Sequence, residues 1–307
     1  MKPPANPRSG ILLVDKPQGI TSHDVVSRTR KLAGTRKIGH AGTLDPMATG
    51  LLVLGMNSST RLLTFVVGLG KEYSATIRLG QSSDTDDAEG TLGEPVDASA
   101  VGDDDIAAGI ARLTGDIDQV PSSFSAIKVD GKRAYALARA GEEVELKSRT
   151  VTISAFDVVA TRRDGPHIDL DVRVECSSGT YIRALARDLG DSLGVGGHLT
   201  ALRRSKVGPF DVVDASTLDD LVVNDRLLDP AAVAGSLFPT HALETQDVVD
   251  LVHGKRLTVP GLDAPAGPIA GIGPDGRLVG LLEADGTTLK AIVNFPTDEV
   301  LVTGGAE

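Results

Sequence analysis

Apolar and polar residues alternate in several parts of the chain, and this pattern predicts β-strands. The clearest examples are residues 73–79, 151–161 and 167–176, where apolar side chains largely occupy every second position. The second and third stretches flank an Asp-Gly-Pro sequence typical of a turn, so they predict a hairpin. Two uninterrupted apolar runs, 11–14 and 51–55, predict a buried strand and a central strand.

Helical spacing of apolar residues marks three further segments. Residues 22–33 have this spacing, and Ser22 is the predicted N-cap. Residues 106–113 follow three aspartates, Asp103 to Asp105, whose charges favour the first turn of a helix. Residues 180–193 form the third predicted helix, which carries an apolar stripe along one face.

Residues 119–147 differ from the segments around them. A polar, extended start, an Asp-Gly turn and a short predicted helix over 132–140 indicate an excursion from the sheet. After residue 241, short apolar runs alternate with Gly, Pro and Asp, which is typical of a small all-β module. Because 307 residues exceed one typical core, we expect two domains, 1–238 and 239–307, with the excursion inserted in the first.

Composition limits the classes of protein to which this chain can belong. Hydrophobic residues make up 41% of the chain, which is ample for a buried interior. The sequence contains neither a signal-peptide core nor a long apolar run, so we expect a soluble, cytoplasmic protein without a membrane span. Six scattered histidines and the single Cys176 offer no paired metal ligands. With no P-loop and no complete dinucleotide-binding motif either, the sequence predicts no metal and no cofactor.

The net charge of −11 argues at first against an RNA partner, but the charges are unevenly distributed. Residues 1–80 contain 11 Lys and Arg against 4 Asp and Glu, and residues 121–210 contain 14 against 11. The acidic excess lies in residues 81–120 and 211–307. Five basic residues accumulate in and just after the first predicted helix: Arg28, Arg30, Lys31, Arg36 and Lys37. We expect this cluster to face phosphates.

The segment from Gly39 to Gly50, GHAGTLDPMATG, concentrates reactive side chains between glycines. It contains an acid, an imidazole and two hydroxyls, and it leads into the predicted central strand, where functional loops are common. Asp45 stands directly before a proline, which is also how many helices begin, with Asp as N-cap. His40 and Thr43 in the same loop favour a chemical role for Asp45 over that structural one.

This segment is similar to the signature loop of the TruB family of pseudouridine synthases, GHxGTLDPxAxG, which carries the catalytic aspartate. Every fixed position of the signature is matched here. The family usually has a second proline where this chain has Ser122. Further motifs of the family follow in the expected order: GILLVDKPxGxTS from Gly10, KEY from Lys71, DTDDxxG from Asp84, QVPSSFSAIK from Gln119 and SGTYIRALARDLG from Ser178.

The resemblance implies an α+β fold. Its core would be a mixed, mainly antiparallel central sheet with flanking helices, the pseudouridine synthase fold, and a small β-rich, PUA-like, RNA-binding domain would follow. The excursion at 119–147 would be a thumb-like insertion that closes on RNA.

The resemblance also implies the chemistry, a cofactor-free isomerisation of the T-loop uridine at position 55 of tRNA. Asp45 would be the nucleophile or charge stabiliser, and attack at uracil C6 and at ribose C1′ both remain open. Arg183, which shares a helix face with Arg187, would oppose the rise in the pKa of Asp45 that burial causes, by roughly 1–3 units. Tyr73 would stack on the flipped base. The resemblance also assigns substrate-binding roles to six residues: Lys16, His40, Thr43, Lys128, Tyr181 and Leu202.

Three functional hypotheses follow. The first is a monomeric, stand-alone tRNA pseudouridine synthase that recognises the T-arm stem-loop of tRNA. It would need neither a guide RNA nor an obligate protein partner. The dyskerin relatives, which are guided by RNA, have long basic tails that this chain lacks. The second is an RNA-binding, tRNA-folding protein without essential catalysis. The third, a small-molecule lyase or hydrolase that uses Asp45, fits the basic segments least well.

Overall fold

The computed structural model describes residues 8–122, 146–262 and 267–296, together with the backbone of residues 128, 129, 132 and 133. The strands, in chain order, are β1 (Gly10–Lys16), β2 (Ile38–Ala41), β3 (Thr49–Met56), β4 (Lys71–Leu79), β5 (Gly115–Gln119), β6 (Lys128–Val129), β7 (Lys132–Arg133), β8 (Arg149–Asp164), β9 (His167–Cys176), β10 (Gly197–Val207), β11 (Phe210–Asp211), β12 (Ser216–Thr217), β13 (Thr240–Ala242), β14 (Leu257–Thr258), β15 (Ile269–Ile272), β16 (Leu278–Asp285) and β17 (Thr288–Asn294). The helices are α1 (Ser22–Ala33), α2 (Leu63–Val67), α3 (Asp103–Arg112), α4 (Ile182–Ser192), α5 (Val223–Arg226), α6 (Pro230–Leu237) and α7 (Thr245–Val252), and two 3₁₀ turns cover Asn57–Leu62 and Val212–Asp214.

A large mixed sheet forms the centre of the molecule, with the strand order β12-β1-β3-β10-β4-β9-β8-β5. β2 pairs with β3, and β11 pairs with β10. Two pairs of adjacent strands are parallel, β1 with β12 and β3 with β10. The other pairs of adjacent strands in this sheet are antiparallel. The predicted α+β architecture with a mixed, mainly antiparallel sheet is therefore confirmed.

Alternation of side chains gives the sheet one strongly apolar face. Along β4 and β9 every second residue is buried, and Tyr73 pairs directly with Val174. α4 packs on this face through the side chains of its predicted stripe, including Leu185 and Leu189, which are fully buried. The apolar face of the sheet and α4 together form the core against which the loop from β2 to β3 lies.

Helix α1 begins at Ser22, within the predicted range. Its N-cap, however, is Thr21 and not Ser22 as predicted. The Thr21 hydroxyl accepts a hydrogen bond from the backbone N–H of Asp24 (3.1 Å), and the Asp24 carboxylate accepts one from the Thr21 N–H (2.9 Å). This capping box satisfies the helix end without Ser22. The buried Ser22 hydroxyl donates to the carbonyl of Leu44 and accepts from the Leu44 N–H, so it ties the helix to the loop that contains Asp45.

The predicted insertion at 119–147 lies largely outside the described residues. Within it, β6 and β7 form a two-stranded pair in which Lys128 is opposite Arg133. The predicted helix over 132–140 is wrong at its first two positions, because Lys132 and Arg133 belong to β7. The remainder of that prediction, and the side chain of Lys128, lie outside the described residues.

A second sheet, with the order β13-β15-β16-β17-β14, follows the large one in the chain and confirms the predicted β-rich C-terminal part. It packs against the first through a shared apolar cluster that joins α2 and its neighbours to β15 and β16. Phe65 and Phe238 meet edge to face in this cluster, with ring centroids 5.3 Å apart. The exact division at residue 238 stays a prediction. None of the helices in the described ranges has the length and apolar character needed to cross a bilayer.

Candidate active site

Asp45 lies in the loop between β2 and β3. The Asp-Pro sequence does not start a helix: the Asp45 carbonyl accepts a hydrogen bond from the N–H of Ala48 in a tight turn, and β3 follows directly. Leu44, Met47 and Ala48 are buried in the core, so the loop is anchored on both sides of the carboxylate. The helix-cap alternative is therefore wrong, and the Asp45 side chain stays 37% exposed.

Arg183 extends from the first turn of α4 to this carboxylate. Its Nη2 lies 3.0 Å from Oδ2 of Asp45, and its Nη1 lies 3.3 Å from Oδ2 of Asp87. The same Nη1 donates to the carbonyl of Thr85 (2.8 Å) and to the hydroxyl of Ser122 (3.2 Å). Because the arginine side chain is only 4% exposed, these contacts fix the guanidinium in a single place between two carboxylates.

Asp87 was not identified from the sequence as a site residue, although the DTDDxxG motif contains it. Its side chain is 5% exposed, and its Oδ1 accepts hydrogen bonds from the Thr85 hydroxyl (2.6 Å) and the Glu89 N–H (3.0 Å). These contacts make Asp87 a fixed, buried counter-charge for Arg183. Three aspartates within four residues of one motif were the signal that could have indicated such a role.

Arg187, one turn along α4, holds the same loop from a second point. Its Nη1 lies 3.2 Å from Oδ2 of Asp86, a buried residue with a left-handed backbone (φ 61°). Burial raises the pKa of Asp86, and the arginine opposes the rise. Arg187 also donates to the carbonyl of Val120 (2.7 Å), so α4 connects the DTDDxxG loop with the segment that enters the insertion.

Tyr73 and Leu202 lie in the apolar wall of the site. Both side chains are about nine-tenths buried, and both belong to the cluster that includes Leu44 and Met47. Tyr73 is on β4 and Leu202 on the adjacent strand β10, where it pairs with Ala75. Burial raises the pKa of Tyr73, so its phenol is protonated at neutral pH.

Lys16 lies behind the loop at the end of β1. It is fully buried, and its Nζ donates to the carbonyls of Pro17 (3.0 Å), Ile20 (2.7 Å) and Pro46 (3.3 Å). Burial lowers the pKa of Lys16 to about 8, although Asp45 and Glu89 oppose the shift. Lys16 therefore supports the loop by binding the carbonyl of Pro46, the residue that follows Asp45.

The remaining predicted site residues are spread around this centre. His40 lies on β2, partly buried, and its burial lowers its pKa. Thr43 is exposed in the loop next to Asp45. Tyr181 is the residue before α4, where the guanidinium of Arg149 stacks 4.9 Å from its ring centroid and the Gln119 side chain binds its backbone N–H and carbonyl.

Two solved structures have a similar fold. One is the structure of an H/ACA RNP bound to a substrate RNA containing 2'-deoxyuridine, with a TM-score of 0.70 at 26% identity over 94% of this chain and 86% of that chain. The other is the archaeal box H/ACA sRNP Nop10-Cbf5 complex, also with a TM-score of 0.70 at 26% identity, over 95% of this chain and 88% of that chain.

Three family models match successive parts of the sequence. They are the TruB family pseudouridylate synthase (N terminal domain) over residues 30–182, the tRNA pseudouridylate synthase B C-terminal domain over 183–231, and the tRNA Pseudouridine synthase II, C terminal, over 238–296. Fold and site together thus define a pseudouridylate synthase, and the predicted pseudouridine synthase fold is confirmed. Proteins named tRNA pseudouridine synthase B are 60% identical in Leifsonia xyli (95% of this chain, 98% of that protein) and 52% identical in Mycobacterium leprae (92% and 90%). The chain belongs to the TruB family.

Proposed function

We propose that this protein is a tRNA pseudouridine synthase that converts the T-loop uridine at position 55 to pseudouridine. The observation that carries the proposal is the ion pair between Asp45 and Arg183, held beside an apolar wall in a chain of the TruB family. A carboxylate held in place by a fixed arginine can act on an electrophilic carbon without a cofactor.

The reaction exchanges one bond for another within the same nucleotide. The C1′–N1 bond of the uridine breaks, the uracil turns, and a C1′–C5 bond forms. C5 then loses its proton and N1 gains one, so atoms and charge balance without an oxidant or an energy source. Asp45 acts either by adding to C6 of the uracil or by forming an adduct at C1′ of the ribose, and Arg183 holds its carboxylate in place.

The uracil has to leave the RNA stack before the carboxylate can reach it. Base flipping costs a few kcal/mol, which stacking and backbone contacts offset. Tyr73 and Leu202 would supply the apolar surface that receives the base, and we assign contacts with the arriving RNA to Thr43, which is exposed, and His40, which is partly exposed. Lys16, Tyr181 and Lys128 complete the proposed substrate site, the first two by supporting the loop and α4.

Phosphates of the T-arm would bind the basic residues of α1 and the turn that follows it. Arg28, Lys31, Arg36 and Lys37 are exposed, and among the described residues none of the four has a carboxylate within 4.0 Å. Exposed cations in the segment that leads into β2 and the Asp45 loop suit a direct electrostatic contact with RNA. We therefore propose that the monomer recognises the T-arm itself, without the guide RNA or partner proteins of the H/ACA complexes, and acts in the cytoplasm, where its tRNA substrate is found.

The test is tritium release from an unmodified T-arm stem-loop labelled at uracil C5, with the purified protein alone. The wild type and an Asp116→Asn control, which alters an exposed carboxylate on the edge strand β5, should release tritium. Asp45→Asn should bind the RNA and release none. Tight binding without release by the wild type would instead identify an RNA-folding protein, and release only after other RNAs or proteins are added would contradict direct recognition.

A further inference from the structure

Arg204 is a buried arginine on β10 that the predicted site does not include. It is 1% exposed, and it pairs with Gly50 of β3 on one side and with Tyr73 of β4 on the other. It therefore stands in the sheet directly between the strand that follows the Asp45 loop and the strand that carries the aromatic wall of the site.

The guanidinium of Arg204 binds both ends of the Asp45 loop. Its Nε donates to the carbonyl of Leu51 (2.8 Å), and its Nη2 donates to the carbonyl of Gly42 (3.1 Å). These carbonyls flank the segment of eight residues that contains Asp45. A guanidinium can satisfy both acceptors at once because its donors form a rigid planar fork, whereas the single ammonium of a lysine cannot span them in the same way.

Two glycines of the loop signature lie against Arg204, Gly50 against its main chain and Gly42 against its guanidinium. A Cβ added at Gly50 would lie 2.3 Å from the carbonyl oxygen of Arg204, which is closer than atoms can approach. A Cβ at Gly42 would lie 3.3 Å from Nη1 of Arg204. Both glycines have positive φ, 83° at Gly42 and 101° at Gly50, so the backbone itself is shaped to bring the loop onto the arginine.

The burial of the charged Arg204 side chain also requires an explanation. Within the described parts of the chain, no carboxylate lies within 4.0 Å of it. Burying an unpaired charge is costly, and an apolar side chain of similar volume would fill the space without that cost. The nearby charge of Arg204 opposes the rise in the pKa of Tyr73 that burial causes. The guanidinium thus acts on the loop and the aromatic wall at the same time.

We propose that Arg204 is a positioning residue for the isomerisation, which fixes the Asp45 loop at both ends and sets it against Tyr73. This inference rests on the proposed function, because the reaction supplies its readout. Arg204 does not touch the substrate. It acts through the carbonyls of Gly42 and Leu51, so its loss should affect the reaction rate and leave RNA affinity nearly unchanged.

The test compares Arg204→Lys and Arg204→Gln with the wild type, and Arg203→Lys is the matched control. Arg203 is the neighbouring arginine on β10; it pairs with Asp15 and donates a long hydrogen bond (3.4 Å) to the Thr49 hydroxyl, but it binds neither of the carbonyls that Arg204 holds. Three measurements are made: the single-turnover rate of tritium release at saturating enzyme, the Kd for the T-arm stem-loop, and hydrogen exchange of the peptide spanning 42–51 against a β9 peptide, 167–176.

We expect both Arg204 variants to lose about tenfold or more in single-turnover rate, equivalent to about 1.4 kcal/mol. Their RNA Kd should stay within about threefold, and exchange should accelerate in 42–51 and not in 167–176. Arg203→Lys should match the wild type in all three measurements. Arg204→Gln keeps an amide donor without the charge, so it still reports on the loop if Arg204→Lys folds poorly.

Three outcomes would overturn the inference. They are an unchanged rate in both Arg204 variants, a rate and an RNA affinity that fall together, and exchange that accelerates equally in the loop and in β9, which would indicate general loss of stability. Absence of release by the wild type would overturn the proposed function instead, and the two failures are thereby distinguished.

Discussion

At the scale of single residues, the site depends on the unequal exposure of two carboxylates that share one arginine. Asp87 is almost fully buried and held by two hydrogen bonds, whereas Asp45 keeps more than a third of its side chain exposed. Arg183 contacts both. The buried aspartate fixes the guanidinium, and in the proposed function the exposed one meets the substrate, so two chemically identical side chains would have different tasks because of their surroundings.

Replacing the buried aspartate should therefore impair the reaction more than binding. We expect Asp87→Asn to lower the single-turnover rate about 10- to 100-fold, equivalent to about 1.4–2.8 kcal/mol, since Arg183 loses its fixed counter-charge. RNA affinity, measured by filter binding, should change by less than about threefold because Asp87 has no surface for RNA. The control is Asp84→Asn, an exposed residue of the same loop that binds the Thr91 N–H. Equal rates in Asp87→Asn and wild type would contradict this role.

At the scale of helices and strands, local patterns predicted the elements well and their partners less well. Alternation located β4, β8 and β9, and the helix over 180–193 was correct except at its ends, where α4 is Ile182–Ser192. The N-cap of α1 was misplaced by one residue because Thr and Ser are both good caps in isolation. The capping box between Thr21 and Asp24 selects Thr21, and Ser22 binds Leu44 instead.

Pairings between distant strands were beyond the reach of such patterns. The parallel contact of β3 with β10 joins residues about 150 positions apart, and no local spacing encodes it. For the same reason no local pattern marked Arg204 as part of the site. Asp45, Arg183 and Tyr73 were identified through family motifs and not through their mutual distances. The structure brings the first two together, and the catalytic roles of all three stay predictions.

Helix α1 provides a prediction at this scale. Lys31 is exposed in its last turn and belongs to the basic cluster proposed to bind phosphates, so its loss should remove one phosphate contact. In Lys31→Ala, the slope of log K against log salt concentration for the T-arm should fall in magnitude by about 0.7–0.9. Arg112→Ala is the matched control, since Arg112 is exposed in the last turn of α3, and its slope should equal that of the wild type. An unchanged slope in Lys31→Ala would place the RNA elsewhere.

At the scale of the whole molecule, the two sheets behave as one packed body. The apolar cluster between them combines residues of α2 and α6 with β15, β16 and the buried Phe295. A contact of this kind, apolar and buried, stabilises a fixed arrangement of the two parts. The acidic C-terminal sheet is thus attached firmly to the sheet that carries the site.

The aromatic pair in this cluster tests that attachment. We expect Phe65→Ala to lower the free energy of unfolding by about 1–3 kcal/mol, measured in urea, because it removes both buried area and an edge-to-face contact. Val67→Ala, an exposed position of the same helix α2, should change it by less than about 0.5 kcal/mol. With Phe238→Ala, a double-mutant cycle should give a coupling of about 0.5–1.5 kcal/mol. Strict additivity would show that the rings do not interact.

The insertion of β10 between β3 and β4 has a consequence for the order in which the protein is made. A ribosome that has synthesised the first 180 residues has already made Asp45, Tyr73 and Asp87, but neither Arg183 nor Arg204. Until Arg183 emerges, the nascent chain carries both carboxylates without the cation that pairs with them, and until β10 with Arg204 emerges, the central sheet lacks the strand between β3 and β4. If the proposed function is correct, catalytic competence therefore requires synthesis through β10, and a chain terminated before residue 204 should be inactive.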